Sequence, residues 1–343
     1  MKLFAIFLLL YSLTGCSAKP TEHHHSILQF DTLIDVTLYA TNAALAEQAF
    51  ADLDRDFDMY HHSWTPYAAS SMSRVNALIP TGKPFSLPPS VIPLITESMP
   101  LAQQTDNLYN PAIGKLIKLW QFHRHDDPDI KPPAAEQIAA LVAARPQLNN
   151  LHIDGIKMVS DNPQVELNFG AFAKGYAVDH SLQHLREMGI HNAMLAVGGD
   201  VKAIGRHGDR NWRVGIKHPR LDGVLAGIEL HDEEAISTSG DYERYFMYQG
   251  KRYHHILDPR TGYPAQGTQA VTVLHENSAI ADMAATALFV AGPKEWQQLA
   301  RKLQLKYVLF IDEHGAIHVT PDLMPRLTFT DLDKSTISVT APL

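Results

Sequence analysis

The run Asn168-Phe169-Gly170-Ala171-Phe172-Ala173-Lys174-Gly175 constrains this chain more than any other stretch. Short strand-like segments precede it at His152–Ile153, Lys157–Val159 and Gln164–Leu167. A helical stripe of Ala177, Leu182, Leu185 and Met188 follows it toward Gly189. Strand therefore gives way to helix across a turn of small side chains. Two readings of that junction stay open. A helix N-terminus offers free backbone N–H groups and a positive dipole end to an anion, and Lys174 adds charge. Small residues also let a helix pack closely on a sheet. The spacing of a P-loop is absent.

Strand and helix patterns continue on either side. Ser26–Tyr39 reads as a strand with Ile34, Val36 and Leu38 on one face. Thr41-Asn42 caps a helix carrying Leu45, Ala49, Leu53 and Phe57. That pattern breaks at Trp64-Thr65-Pro66-Tyr67 into a loop reaching Asn76, whose Trp either stacks on a planar ligand or anchors the loop in the core. Ser90–Asp106 is helical in composition, shortened or kinked by Pro93 and Pro100. A turn at Tyr109–Gly114 precedes helical spacing over Lys115–Phe122 and Ala135–Ala144. Strands are expected at Ala193–Val197, Val201–Ile204, Trp212–Lys217, Leu225–Leu230 and Ala270–Leu274, with Ile236–Phe246 as a Ser/Thr/Gly turn feeding an aromatic strand. Ala279–Ala291 is a helix ended by Gly292-Pro293, followed by a helix at Glu295–Leu303 and a hairpin of Lys306–Ile311 with Ala316–Val319.

The N-terminus has a different character. Met1-Lys2, the apolar Leu3–Leu10 and then Leu13-Thr14-Gly15-Cys16 follow the pattern of a signal peptide ending in a bacterial lipobox. Residues 1–15 are read as signal, 16–25 as a lipid tether and 26–343 as one large domain. Cys16 is the only cysteine, so its lipidation would remove disulfide and thiolate chemistry from the body. Such an anchor places the domain on the periplasmic side of the inner membrane. The net charge of −8 argues against a general nucleic-acid binder, which needs a basic surface.

Two stretches concentrate chemistry. His254-His255-Ile256-Leu257-Asp258-Pro259-Arg260-Thr261-Gly262 crowds imidazole, carboxylate and guanidinium groups at a strand-to-loop junction. Asp282 and Thr286, four apart on an otherwise apolar helix, share one face. They form either a half-site for a hard cation, which takes oxygen ligands, or a dipole-complementing Asp with a Thr bonded to backbone.

Taken in order, these segments resemble the ApbE family of FAD:protein FMN transferases. Asn168–Asp179 is similar to the family's D-L-G-G-x-A-K-G-Y-A-x-D, and Gly198-Gly199-Asp200 to G-G-[DN]. Ser239–Phe246 is similar to S-G-x-Y-E-R-x-F, His255–Pro264 to H-x-[IL]-D-P-R-T-G-x-P, and Ala281–Leu288 to A-D-A-x-A-T-A-L. The resemblance implies an α+β, T-fold-related domain with mixed and antiparallel sheets and flanking helices. It implies FAD as substrate and Mg2+ held by the Ala171 carbonyl and the Asp282 and Thr286 side chains. It places Phe30, Trp64, Tyr109, Asn110, Asn168, Lys174 and Ile256 near FAD. His255 matches the catalytic histidine, and Asp258 either orients it or stabilises the loop. The implied acceptors are flavoprotein subunits of membrane respiratory complexes, modified on a Thr or Ser hydroxyl with release of AMP. The chain departs from the family pattern at Phe30-Asp31-Thr32, where Met-Gly-Thr is usual, and at Asn110 and Asn168, where Asp is frequent.

Competing readings are an FAD pyrophosphatase using water, a non-catalytic flavin-binding lipoprotein, and a zinc-scavenging lipoprotein. The last is suggested by 19 histidines, but these fall in pairs rather than at ligand spacings.

Overall fold

A computed structural model describes residues 21–124, 127, 129–330 and 337–343, so the lipobox with Cys16 lies outside the described residues. The first elements are a hairpin, β1 (Glu22–Gln29) and β2 (Thr32–Tyr39). The expected single strand is therefore two, joined through Phe30 and Asp31, both at φ 56. Left-handed backbone at two consecutive positions is the turn that suits a tight hairpin, usually built from Asn-Gly. Phe-Asp carries no such signal, so the sequence alternation hides the turn. Phe30 is held there from outside: its ring stacks on Trp64 at 6.2 Å, and its N–H donates to His61 Nδ1 at 3.2 Å. Glu22–His25, expected to precede the domain, belong to β1. His23 bonds the Thr41 carbonyl and His25 bonds Asp54.

Helix α1 (Ala43–Trp64) starts at Asn42, whose side chain accepts the Leu45 N–H, and α2 (Ser71–Leu78) starts at a Ser70/Ser73 capping box. There follow β3 (Phe85–Ser86), α3 (Ile92–Gln104), α4 (Gly114–Trp120), α5 (Ala135–Ala143), β4 (Leu151–Asp154) and β5 (Lys157–Ser160). Gln164–Leu167 is not a named strand; Glu166 makes an isolated bridge to Ile113. Helix α6 (Ala173–Glu187) leads to β6 (Ala193–Val197), β7 (Asp200–Ile204), β8 (Trp212–Lys217) and β9 (Val224–Leu230). The expected Ser/Thr/Gly turn is instead β10 (Ala235–Gly240), because main-chain pairing on both sides outweighs the low strand propensity of Ser and Gly. Next come β11 (Tyr245–Tyr248), β12 (Lys251–His254), β13 (Thr268–His275) and α7 (Ser278–Lys302), broken at Gly292 (φ 72, ψ −177) before Pro293. The chain closes with β14 (Tyr307–Asp312), β15 (Ile317–Val319), β16 (Leu327–Phe329) and β17 (Ile337–Val339).

One nine-stranded sheet, β1-β2-β6-β7-β10-β13-β14-β15-β17, organises the fold. Its named pairs are antiparallel except β15 with β17. Alternate residues of β13 enter different cores. Val271 and Val273 pack with α1, α6 and α7, while Ala270 and Leu274 pack with Trp212, Ile216 and Ile228 of the β16-β9-β8 sheet. Both faces are therefore covered, which explains a central strand buried along nearly its whole length. A third cluster around Trp120, Phe122, Ile138 and Phe246 supports the β11–β12 hairpin.

The first turns of α6 and α7 meet at Gly175. A Cβ there would lie 2.7 Å from Ala279 Cα and closer still to the Ser278 carbonyl. Asp179, one turn later, accepts the Ser278 and Ala279 amides and pairs with Lys202 Nζ at 2.7 Å. This carboxylate caps the start of α7 from a neighbouring helix, a contribution of about 1 kcal/mol. Gly175→Ala should lower unfolding free energy by about 1–3 kcal/mol through overpacking. Denaturant melts check it, and an unchanged midpoint would show that the crossing can spread without cost.

Candidate active site

Because α6 and α7 cross at their N-termini, Lys174 on one and Asp282 on the other are brought together. Lys174 Nζ lies 2.6 Å from Asp200 Oδ2 and 3.2 Å from Asp282 Oδ2. Asp200 is 2% exposed and Asp282 5%, so one ammonium stands between two buried carboxylates. Burial and then the Asp200 charge push the Asp282 carboxyl up, against the pull of Lys174. Burial works against the Lys174 charge, but Asp200 and Asp282 outweigh it and hold the ammonium above its ordinary range. Close packing at Gly175 and charge pairing at Lys174 therefore share the junction between α6 and α7.

Thr286, one turn beyond Asp282, shares a 3.0 Å hydrogen bond with the Ser239 hydroxyl. Ser237 is paired in register with Asp200 and lies two residues before Ser239 on β10, so it shares their face, toward α7. Its hydroxyl is fully buried and has no hydrogen-bond partner among the described residues. Such an orphan costs about 1–3 kcal/mol unless something else reaches it. Asp282, Thr286, Ser239 and Ser237 give an all-oxygen donor set, which fits a hard divalent cation better than zinc. The half-buried Ala171, placed in the turn just before α6, is the remaining expected ligand. Among the described residues, no group of three or more His, Cys, Asp and Glu side chains comes together as a metal cluster.

His255 follows β12 on a separate wall. Its N–H donates to the Arg244 carbonyl, and its Nδ1 lies 3.2 Å from the same oxygen. A carbonyl only accepts, so Nδ1 carries the proton and Nε2 holds the lone pair. Burial, and then the Arg244 guanidinium, hold this imidazole well below its ordinary range. It is therefore neutral at pH 7 with its accepting nitrogen uncommitted. His254, its neighbour, packs edge-on against Phe289. It is 5% exposed, with Nε2 bonded to the Ala265 carbonyl and Nδ1 accepting from the Ile256 amide.

Asp258 is not the orienter of His255. Its carboxylate is gripped by the Arg260 guanidinium and main-chain amide at 2.8–3.1 Å. Arg260 continues to Glu295 and the Val290 carbonyl, so it braces the turn rather than reaching for phosphate. Gly262 ends that turn at φ +76, and its carbonyl accepts from Trp120 Nε1. A Cβ at Gly262 would meet the Val142 side chain at 2.7 Å, which excludes other residues twice over.

The expected flavin contacts divide. Trp64 is 7% exposed, its Nε1 bonded to the Ser90 carbonyl, so it is a core anchor. Tyr109 is 3% exposed and its hydroxyl pairs with Ser98; burial pushes that phenol well up. Asn110 spends its amide on the Pro146 carbonyl and the Ala112 N–H. Ile256 is buried, and its carbonyl accepts from Ala265. These four brace the walls. Phe30, Asn168 and Lys174 remain half-buried. Asn168 bonds the Tyr67 hydroxyl and the Gly170 amide, bringing the exposed Tyr67 to the α6 turn. Asp200, Ser239 and Arg244 also enter the site, each from one of the family-like motifs. The buried carboxylate beside a glycine turn was the available signal.

The family model described as the ApbE family matches residues 30–309. A FAD:protein FMN transferase of Rhodobacter capsulatus is 38% identical over 87% of this chain, and the chain spans 57% of that relative's length. One of Klebsiella pneumoniae is 32% identical over 91% of this chain and 95% of its own length. Among solved structures, the ApbE protein of Thermotoga maritima superposes with a TM-score of 0.78 at 30% identity, over 89% of this chain and 99% of that one. The flavin transferase ApbE of Vibrio cholerae has a TM-score of 0.78 at 27% identity, over 90% and 99%.

The imidazole state is directly measurable. Titrating His255 by NMR should give a midpoint below 6.5, with the proton on Nδ1 at neutral pH; Arg244→Gln should move the midpoint upward. Below about pH 6.5 the unfolded chain takes up a proton that the folded site resists, so His255 removes stability as pH falls through that value. A midpoint at or above the ordinary value would contradict the half-buried, cation-flanked environment.

Proposed function

The chain belongs to the ApbE family, and from that premise we propose that it transfers the FMN portion of FAD to a Thr or Ser hydroxyl of a partner flavoprotein. The observation that carries this reading is His255: a neutral imidazole whose Nδ1 is committed to the Arg244 carbonyl and whose Nε2 is free. In this proposal Nε2 accepts the proton of the acceptor hydroxyl. The acceptor oxygen forms a bond to the FMN-side phosphorus of FAD. The bond from that phosphorus to the bridging oxygen breaks, and AMP leaves with the electron pair.

The chain's other residues position and neutralise. Lys174, held by Asp200, directs its remaining N–H donors toward the pyrophosphate, where negative charge builds on the leaving oxygen. Asp282, Thr286 and the Ala171 carbonyl would hold Mg2+. That ion, when bound, supplies Lewis-acid stabilisation of phosphoryl oxygen. Phe30 and Asn168 are the half-buried residues available to the flavin nucleotide. The Leu13–Cys16 pattern supports a lipid anchor on the periplasmic face of the inner membrane, which would bring the domain to flavoprotein subunits of membrane respiratory complexes.

The test combines the protein, FAD, Mg2+ and a candidate acceptor domain, and reads the acceptor's mass for added FMN. His255→Ala should retain FAD binding while transfer falls by roughly 10²-fold or more, the scale for losing a general base. Undiminished transfer would remove His255 from that role. Asp282→Ala should weaken the Mg2+ dependence, and full activity with chelator would reject the cation site. Incubation with FAD alone separates the rival: rapid release of FMN and AMP without acceptor would identify a pyrophosphatase.

A further inference from the structure

Lys174, Asp200 and Asp282 carry more than a salt bridge. One ammonium faces two carboxylates in a pocket where the Asp200 and Asp282 side chains are only 2% and 6% exposed. A buried, uncompensated carboxylate is costly. The Lys174 side chain, at 24% exposure, is the one member open to solvent. Its two contacts are unequal: 2.6 Å to Asp200 and 3.2 Å to Asp282. Asp282 lies one turn before Thr286, whose hydroxyl meets Ser239, and Ser237 shares that strand face, which gathers oxygens that suit a hard cation.

We infer that Lys174 is the resident counter-ion of this pocket, and that a divalent cation binding at Asp282 displaces the ammonium from Asp282 while Asp200 retains it. This rests on the cation site proposed above and adds a mechanism for arming it. Asp200 is then a positioning residue. It acts on the cation only through Lys174, by giving the displaced ammonium a fixed partner. The pivot leaves Lys174 with spare N–H donors at the mouth of the pocket, where a phosphate would lie. Cation binding and phosphate binding become coupled through one side chain.

Isothermal titration of the purified full chain with MgCl2, without FAD, tests the exchange. Lys174→Met removes the competitor and should bind Mg2+ about tenfold more tightly. Lys174→Arg keeps the charge but grips both carboxylates, so it should bind Mg2+ more weakly. Asp200→Asn deprives the ammonium of its alternative partner and should weaken Mg2+ binding about tenfold. In the Lys174→Met background, Asp200→Asn should then change the affinity by less than about threefold. Melting curves without metal confirm which variants fold, and Lys174→Arg keeps the test alive where Lys174→Met does not. Wild-type binding that Lys174→Met fails to tighten and Lys174→Arg fails to weaken would overturn the exchange alone. A full Asp200→Asn loss in the Lys174→Met background would also overturn it, because Asp200 would then act on the cation directly. Absence of Mg2+ binding by both wild type and Lys174→Met would overturn the cation site itself.

Discussion

The crossing of α6 and α7 at Gly175 is the contact on which the rest depends. Two helix N-termini at this distance would repel through their dipoles and leave amides unpaired. Carboxylates resolve both problems. Asp179 receives the Ser278 and Ala279 amides, and Asp282 stands beside Lys174 near the start of α7. Those carboxylates need cations in turn, and Lys174 and Lys202 supply them. The charged pocket is therefore a consequence of how the two helices close, and any species that enters it must join that balance.

The opposite wall follows a different principle. His255 is carried on a small hairpin and a turn rather than on the main sheet. Its precision comes from what is packed beneath: Trp120 under Gly262, the Ile138–Val142 face of α5, and the Asp258–Arg260–Glu295 brace. The outcome is an imidazole with a defined tautomer. The proposed reaction would divide its chemistry between the two walls, with proton acceptance at His255 and charge neutralisation at Lys174.

Much of the fold was legible in the residues. The Asn42 cap, the Gly292-Pro293 break and the strands Ala193–Val197 and Trp212–Lys217 follow from local rules. The misread places share a cause. Phe30-Asp31 turns without glycine because Trp64 and His61 hold it. Ser237–Ser239 extends because β7 and β13 pair with it. Asp258 looked like a partner for His255 because they are close in sequence, while its carboxylate bends back to Arg260. Trp64 takes the core-anchor alternative, and Tyr109 and Asn110, placed near FAD only by the family resemblance, make their hydrogen bonds within the protein.

By itself the sequence determined the residue types, their motif order, the small-residue junction at Gly170–Gly175 and the spacing of Asp282 and Thr286. Those are local properties, fixed by side-chain size and helical period. Only the tertiary structure decided which groups share a pocket. Lys174 meets Asp200 and Asp282 from 26 and 108 residues away, and Ser239 meets Thr286 from 47. Charge pairing across such separations depends on where helices cross and which strands are neighbours. That choice belongs to the packing of the whole core around α7, and no single stretch of sequence contains it.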